Sequence, residues 1–427
     1  MKAPTRRSRT LAAPAAGLLA LALLMTAATL SAPPLAAQHL LVPMDTSQSD
    51  HLKAYGLTYW VLERGETAEW LLNYRDGSFL LPDTEATRRE AALRGVLAEP
   101  VDGAEVARVR GRIQEENMEA VPLETAPRIA IYTPPNAQPW DDAVTLALEY
   151  ADIPYETVWD GEVLQGELDE FDWLHLHHED FTGQYSKFFL AYAGSAWLQE
   201  EVAARFGFTD VPALKRAVAE EIRQYVEAGG FLFAMCSATE TLDLALASHR
   251  TDISAAFANG RPPAPDASEQ MDWSRAFAFQ GAEIQTSPSV NAFSDIDFHQ
   301  VNTAGRQPLG SFRLFEFAAK IDPVASMLVQ NHEAVIPDFY GLTTSYRADR
   351  LQPGVTILAQ EGNRAKYIHG TAGEGTWTFY GGHDPEDPEH QIGDAPTNLE
   401  LHPSSPGYRL ILNNVLFPSA RPAPLKT

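Results

Sequence analysis

The chain carries one cysteine, Cys236, where an apolar run, Gly230 to Met235, gives way to a helix-like segment, Ser237-Ala-Thr-Glu-Thr-Leu-Asp-Leu-Ala-Leu246. A buried strand that turns sharply into a helix with a nucleophile at the corner is the logic of a nucleophile elbow. The crowded corner needs small residues two before and two after the nucleophile, and Ala234 and Ala238 stand there. The competing reading is a structural thiol at a strand end, since free cysteine is among the most buried residue types. Two further polar clusters follow strand-like runs. Asp172-Trp-Leu-His-Leu-His177 leads into His178-Glu179-Asp180, and Gly375-Thr-Trp-Thr-Phe-Tyr-Gly-Gly382 leads into His383-Asp384-Pro385-Glu386-Asp387. Three sequence-distant clusters converging on one sheet edge argue for a site more strongly than any single motif. In the earlier cluster a strand puts His175 and His177 on one face, and two histidines with a carboxylate suit Zn²⁺ or Fe²⁺. That run has no familiar metal-ligand spacing, and His175 is expected to point into the sheet packing. Hydrogen bonding or an oxyanion role is therefore the reading adopted for His178 and Glu179, with His177 beside them and no metal.

Positioning these groups is the task of residues 127–420, where strand-like and helix-like runs alternate. Strands are expected at Arg128–Thr133, Tyr155–Trp159, Asp172–His177 and Gly230–Met235, and helices at Trp140–Tyr150, Val211–Ala228 and Tyr408–Leu416. Val355–Ala359 and Lys366–His369 are expected to pair antiparallel before a last buried strand over Gly375–Gly382. The implied class is α/β, a doubly wound, mostly parallel sheet of flavodoxin-like form with ligands at the carboxyl ends of its strands. Residues 246–354 read as an insertion that lids the sheet edge. Within it Asp295 and Asp297 face one side of a strand, and Tyr346 and Arg347 are candidates to reach substrate. Residues 38–126 read as a small α+β module. Its expected strands are Leu57–Glu63, Glu69–Tyr74 and Ser78–Leu81, and its expected helices Thr84–Arg94 and Ala104–Ala120. Residues 1–37 have the form of a secretory signal: basic Lys2, Arg6, Arg7 and Arg9, an Ala/Leu-rich run, and Leu35-Ala36-Ala37 before a cleavage point. Periplasmic or extracellular residence is the expectation, with an uncleaved anchor as the alternative.

A chain of 427 residues is long enough for two or three domains. A formal net charge of −25 repels nucleic acid and anionic membrane, which excludes both as expected partners. One cysteine excludes an internal disulfide framework and any zinc cluster built from several cysteines.

The strand, the small-x-Cys-x-small corner Ala234-Met-Cys-Ser-Ala238 and the late Gly-Gly-His-x-x-Glu, Gly381 to Glu386, together resemble the class I glutamine amidotransferase-like superfamily over roughly 127–245 and 355–418. The usual wording there is Gly-x-Cys-x-Gly and His-Pro-Glu. This chain has alanines at the corner and one extra residue between His383 and Glu386. The Gly-His-Asp-Pro-Glu wording is also similar to the ThuA-like branch, some of whose members handle carbohydrate and lack the cysteine. The whole chain resembles exported bacterial proteins labelled asparagine synthetase B. The chemistry of an ATP-dependent synthetase does not follow, because position 2 is lysine and no Ser-Gly-Gly-x-Asp-Ser loop occurs.

The resemblance implies Cys236 as nucleophile and His383 as its base, oriented by Glu386 or Asp384. A helix N-terminus and a histidine both lower a thiol pKa. The oxyanion would meet the Ser237 N–H and an N–H near His178-Glu179. The expected activity is an exported cysteine-dependent amide or ester hydrolase, or an amidotransferase-like enzyme, working through an acyl-thioester without a cofactor. Two alternatives stand beside it: a non-catalytic extracytoplasmic protein binding carbohydrate or peptide, and a metal-dependent hydrolase. The substrate class is left open.

Overall fold

The computed structural model describes Met1 and residues 39–135, 142–184, 187, 196–254, 256–288, 290, 292–297, 310–339, 343–387 and 395–421. Residues 2–37 of the expected signal segment, and Trp140 at the start of an expected helix, lie outside them.

The N-terminal region runs β1 (His39–Val42), α1 (His51–Glu63), β2 (Ala68–Leu72), β3 (Ser78–Pro82), α2 (Glu85–Arg94), β4 (Glu99–Val101), α3 (Gly103–Glu115) and β5 (Glu119–Leu123). Its five strands form an antiparallel sheet in the order β4-β1-β3-β2-β5. The strand expected at Leu57–Glu63 is instead the second half of α1. Asp50 caps the helix by accepting from Lys53 N at 2.9 Å. Leu52, Tyr55, Leu57, Tyr59, Val61 and Leu62 are all buried. A helix apolar on every side is a core helix, so branched and aromatic content there reported burial rather than strand. The expected helix from Ala104 ends at Glu115, and Glu119–Leu123 becomes the edge strand β5.

The rest is built on a large mixed sheet. β6 (Ile129–Tyr132) is followed by α4 (Ala143–Tyr150), β7 (Glu156–Val158), β8 (Trp173–Leu176), α5 (Val211–Glu227), β9 (Phe231–Met235) and α6 (Cys236–Ala247). Then come β10 (Ser311–Leu314), β11 (Val335–Pro337), β12 (Tyr346–Arg347), β13 (Thr356–Glu361), β14 (Arg364–Ala372), β15 (Gly375–Tyr380) and α7 (Pro406–Leu416). The order is β11-β10-β13-β14-β15-β9-β8-β6-β7, with β12 also paired to β14. The five strands from β15 to β7 are parallel neighbours. The others are antiparallel, so the sheet is mixed and not mostly parallel. The cause is connection length. Gly362 and Asn363 alone join β13 to β14, and so short a link permits only an antiparallel pair. Nor are residues 246–354 simply a lid: β10 and β11 from that stretch extend the same sheet.

Side chains of the parallel strands alternate between two cores, as a two-residue period requires. Ile129, Ile131, Trp173, Phe231 and Phe233 pack with α1, α4 and α7. Ala130, Leu174, Leu176, Leu232 and Ala234 pack with α5 and α6. The core against α1 is continuous from the N-terminal sheet into the large one. No helix among the described residues is long and apolar enough to cross a membrane.

Candidate active site

Three adjacent parallel strands end level with one another. Leu176 of β8 pairs with Ala234 of β9, and Met235 of β9 pairs with Tyr380 of β15. The next residues of each chain segment therefore meet beyond the sheet: His177 and His178, Cys236, and His383. Their donor atoms all lie within 4.8 Å of one another. The imidazoles of His177 and His178 stack at 3.9 Å between ring centroids, and His383 lies 4.7 Å from the former and 4.4 Å from the latter. Cys236 is fully buried, His177 and His383 are nearly so, and His178 is half-buried.

Cys236 is the first residue of α6 and has φ 51°. A side chain in this left-handed region costs about 1–2 kcal/mol. Such strain persists only where surrounding structure imposes it. Here the corner is pinned on both sides, by Ala238 N–H donating to His177 O at 3.0 Å and by Thr239 Oγ1 donating to Cys236 O at 2.8 Å. Ala234 and Ala238 are fully buried at this corner, as the crowding argument anticipates.

Behind His177 stands Asp142, whose carboxylate lies 3.0 Å from His177 Nδ1 and 3.1 Å from His175 Nε2. Asp142 caps α4 by accepting from Val144 N at 2.7 Å. Burial works against its charge, but the two imidazoles outweigh that and hold the carboxyl well below its usual range. Burial, reinforced by the neighbouring His178, pushes His177 down to about 4, so its ring is neutral at ordinary pH. Both of its ring nitrogens are buried and meet no hydrogen-bond partner, the Nδ1–Asp142 contact being one of proximity. His175 is the structural member of the trio. It is fully buried with Nδ1 at 3.0 Å from Phe233 O, pointing into the sheet as its strand position implied.

The acids expected to orient His383 are committed elsewhere. Glu386 pairs with His402 Nδ1 at 3.0 Å. Asp384 accepts from Glu386 N at 2.9 Å and from Thr397 Oγ1 at 2.7 Å, closing its own turn. Asp142 was not singled out by the sequence. Its one signal was an acid before an apolar helix following a strand, and that pattern first of all marks a cap. Glu179 is buried, its carboxyl raised by desolvation, and accepts from His177 N at 3.2 Å. That bond closes the turn that holds the histidines. The Ser237 hydroxyl is buried beside Cys236 with no partner.

One turn along α6, buried Glu240 accepts from Ser294 Oγ at 2.6 Å and Thr343 Oγ1 at 3.1 Å, and burial raises it to about 7. Tyr346 is fully buried, and Arg347 is paired with Asp349 and Asp295. A cavity of about 290 Å³ lined by Arg223, Arg275, Gln352 and Trp377 opens at the amino ends of β9 and β15, away from the cluster.

No family model matches the sequence, and no curated protein does. Among solved structures the chain is similar to the cytoplasmic proteins STM3548 and STM1381 of Salmonella typhimurium. Both have a TM-score of 0.35, with 11% and 10% identity, over 69% of this chain and 100% of theirs. Likeness at that level carries neither fold nor function across.

Proposed function

We propose that this protein is a cysteine-dependent hydrolase of amides or esters, of class I glutamine amidotransferase-like type, with Cys236 as nucleophile. The observation that carries the reading is Cys236 held at positive φ at a helix start, its sulfur within 4.8 Å of a ring nitrogen of His177, whose Nδ1 lies 3.0 Å from the Asp142 carboxylate. Nucleophile, base and orienting acid in that order form a triad, here Cys236, His177 and Asp142. This reading takes His177 as the base in place of His383. With Nδ1–H donated to Asp142, His177 Nε2 takes the thiol proton and the sulfur attacks the carbonyl carbon. Charge on the carbonyl oxygen is met by the Ser237 N–H at the start of α6. Collapse expels the amine or alcohol, which takes the proton from His177. Water, deprotonated by the same nitrogen, then cleaves the thioester and restores the thiol. The flavodoxin-like, doubly wound arrangement belongs to this reading, supported by the five parallel strands with helices on both faces. Export rests on the composition of residues 1–37.

Iodoacetamide labelling of the native protein, together with a panel of chromogenic esters and amides, tests this. A single adduct on Cys236 is expected. Cys236→Ala should lose turnover by roughly 10³-fold or more, and Asp142→Asn should lower kcat with little change in KM. A Cys236→Ala variant that keeps full turnover ends the proposal. A second reading, a non-catalytic protein binding carbohydrate or peptide, is favoured by the complete burial of the thiol. It predicts labelling only after unfolding.

A further inference from the structure

A triad needs one imidazole beside the thiol, and this cluster holds three. Three imidazoles and a thiol with donor atoms within 4.8 Å of one another form an N₃S set, drawn from the ends of three neighbouring strands. Tetrahedral Zn²⁺ takes nitrogen at ~2.0–2.1 Å and sulfur at ~2.3 Å, which places its ligand atoms about 3.3–3.6 Å from one another. Small side-chain rotations close the difference. A second observation points to the same ligand: both ring nitrogens of His177 are buried without a hydrogen-bond partner, and Nδ1 lies 3.0 Å from the Asp142 carboxylate. A metal-bound histidine sets its far nitrogen beside a carboxylate that fixes the tautomer and ring plane, and Asp142 stands at that place. Asp142 is itself held by the first turn of α4. The charges also close. One divalent cation, one thiolate and the Asp142 carboxylate sum to zero, which matters at a buried centre where unbalanced charge is costly.

We propose that His177, His178, Cys236 and His383 bind a zinc-class divalent ion, with Asp142 as the outer carboxylate, and that this ion holds the hydrolase in a reversible off state. The regulatory half rests on the reading of Cys236 as nucleophile; the metal half does not. Binding releases the thiol proton and leaves the sulfur as thiolate bound to metal. The sulfur lone pair and the His177 Nε2 lone pair that the reaction needs are then both engaged. Removal of the metal returns both.

The test uses the whole chain freed of metal by chelation and titrated with Zn²⁺, and in parallel with Co²⁺, whose thiolate-to-metal absorption reports sulfur ligation. About one ion per chain is expected, with that absorption present in wild type and lost in Cys236→Ser. Asp142→Asn should weaken binding roughly 10–100-fold and keep the absorption. His178→Ala, at the half-buried position, should weaken binding in a protein whose melting is otherwise unchanged. One equivalent of Zn²⁺ should block iodoacetamide labelling of Cys236, and chelator should restore it. No saturable binding, or binding unaltered by Cys236→Ser and His178→Ala, overturns the metal site. Stoichiometric binding with hydrolysis retained in Cys236→Ala overturns the nucleophile and leaves the metal site standing. Rapid labelling that Zn²⁺ does not slow overturns the off state and leaves the nucleophile standing.

Discussion

Two regions of the molecule bury polar groups densely, and they do so in opposite ways. Between the N-terminal sheet and α7, Arg409 is fully buried, and each of its guanidinium nitrogens meets an acceptor. It donates to Tyr55 Oη at 3.1 Å, to Met44 O at 3.0 Å and to Asp76 O. His51 and His332 stack beside it at 4.3 Å, with His51 held by Ser404 Oγ and by the Met44 and Asp45 carbonyls. Donors there meet acceptors, and the network joins the two parts of the chain. At the carboxyl ends of β8, β9 and β15 three of four converging groups are as deeply buried, and the donor atoms of all four lie within 4.8 Å of one another. His177 Nε2 and the Ser237 hydroxyl there meet no partner. Buried polar atoms are nearly always satisfied. Saturation at Arg409 therefore reads as architecture, and convergence without saturation at Cys236 reads as a place for something else to bind.

The contrast can be broken at three points. Arg409→Leu removes the centre of the saturated network and leaves carbonyls of the Met44 and Asp76 segments without a donor. A loss of about 3–5 kcal/mol in urea unfolding is expected, with iodoacetamide reactivity of the residual folded protein unchanged. A loss under 1 kcal/mol would remove the case that this interface is structural.

Acid should act on the same interface next. Burial and Arg409 push His51 down to about 4 and His332 down to about 3. Both folded values lie below the ordinary 6.5, so the fold favours neutral imidazoles. The stability they contribute is full above pH 6.5 and is lost as pH falls towards 4. His332→Gln should flatten that loss by roughly 2 kcal/mol between those limits, read from unfolding midpoints across pH. A slope equal to wild type would show that other groups carry the acid sensitivity.

The smallest effect concerns the strained corner. Cys236→Gly and Cys236→Ala both remove the thiol, but only alanine keeps a Cβ at φ 51°. The glycine variant should be the more stable of the two by about 1 kcal/mol. Equal melting would mean that the corner relaxes once sulfur is gone.

Much of this was legible in the chain itself. Strand ends are local events, so an apolar run stopping at Met235, Leu176 or Tyr380 is visible wherever it later sits. The corner at Cys236 was marked by its small neighbours for the same reason. The exit of α1 from the expected strand set was not legible, because Leu57 to Leu62 is apolar on all sides and has no single period to read. In the antiparallel half of the sheet the β13–β14 pair was legible as two strand-like runs close in sequence, but β10 and β11 were not, since both are short and β10 pairs with β13 across more than forty residues of sequence.

Sequence alone determined which residue types stand at the strand ends, because alternation and turn chemistry are properties of neighbours along the chain. It singled out Cys236, His177, His178 and His383 as candidates for one site. Only the tertiary structure decided which of them work together. Carboxylate partnership depends on distance in space, and the cap of α4 sets Asp142 beside His177 and His175 while the turn after His383 carries Glu386 away to His402.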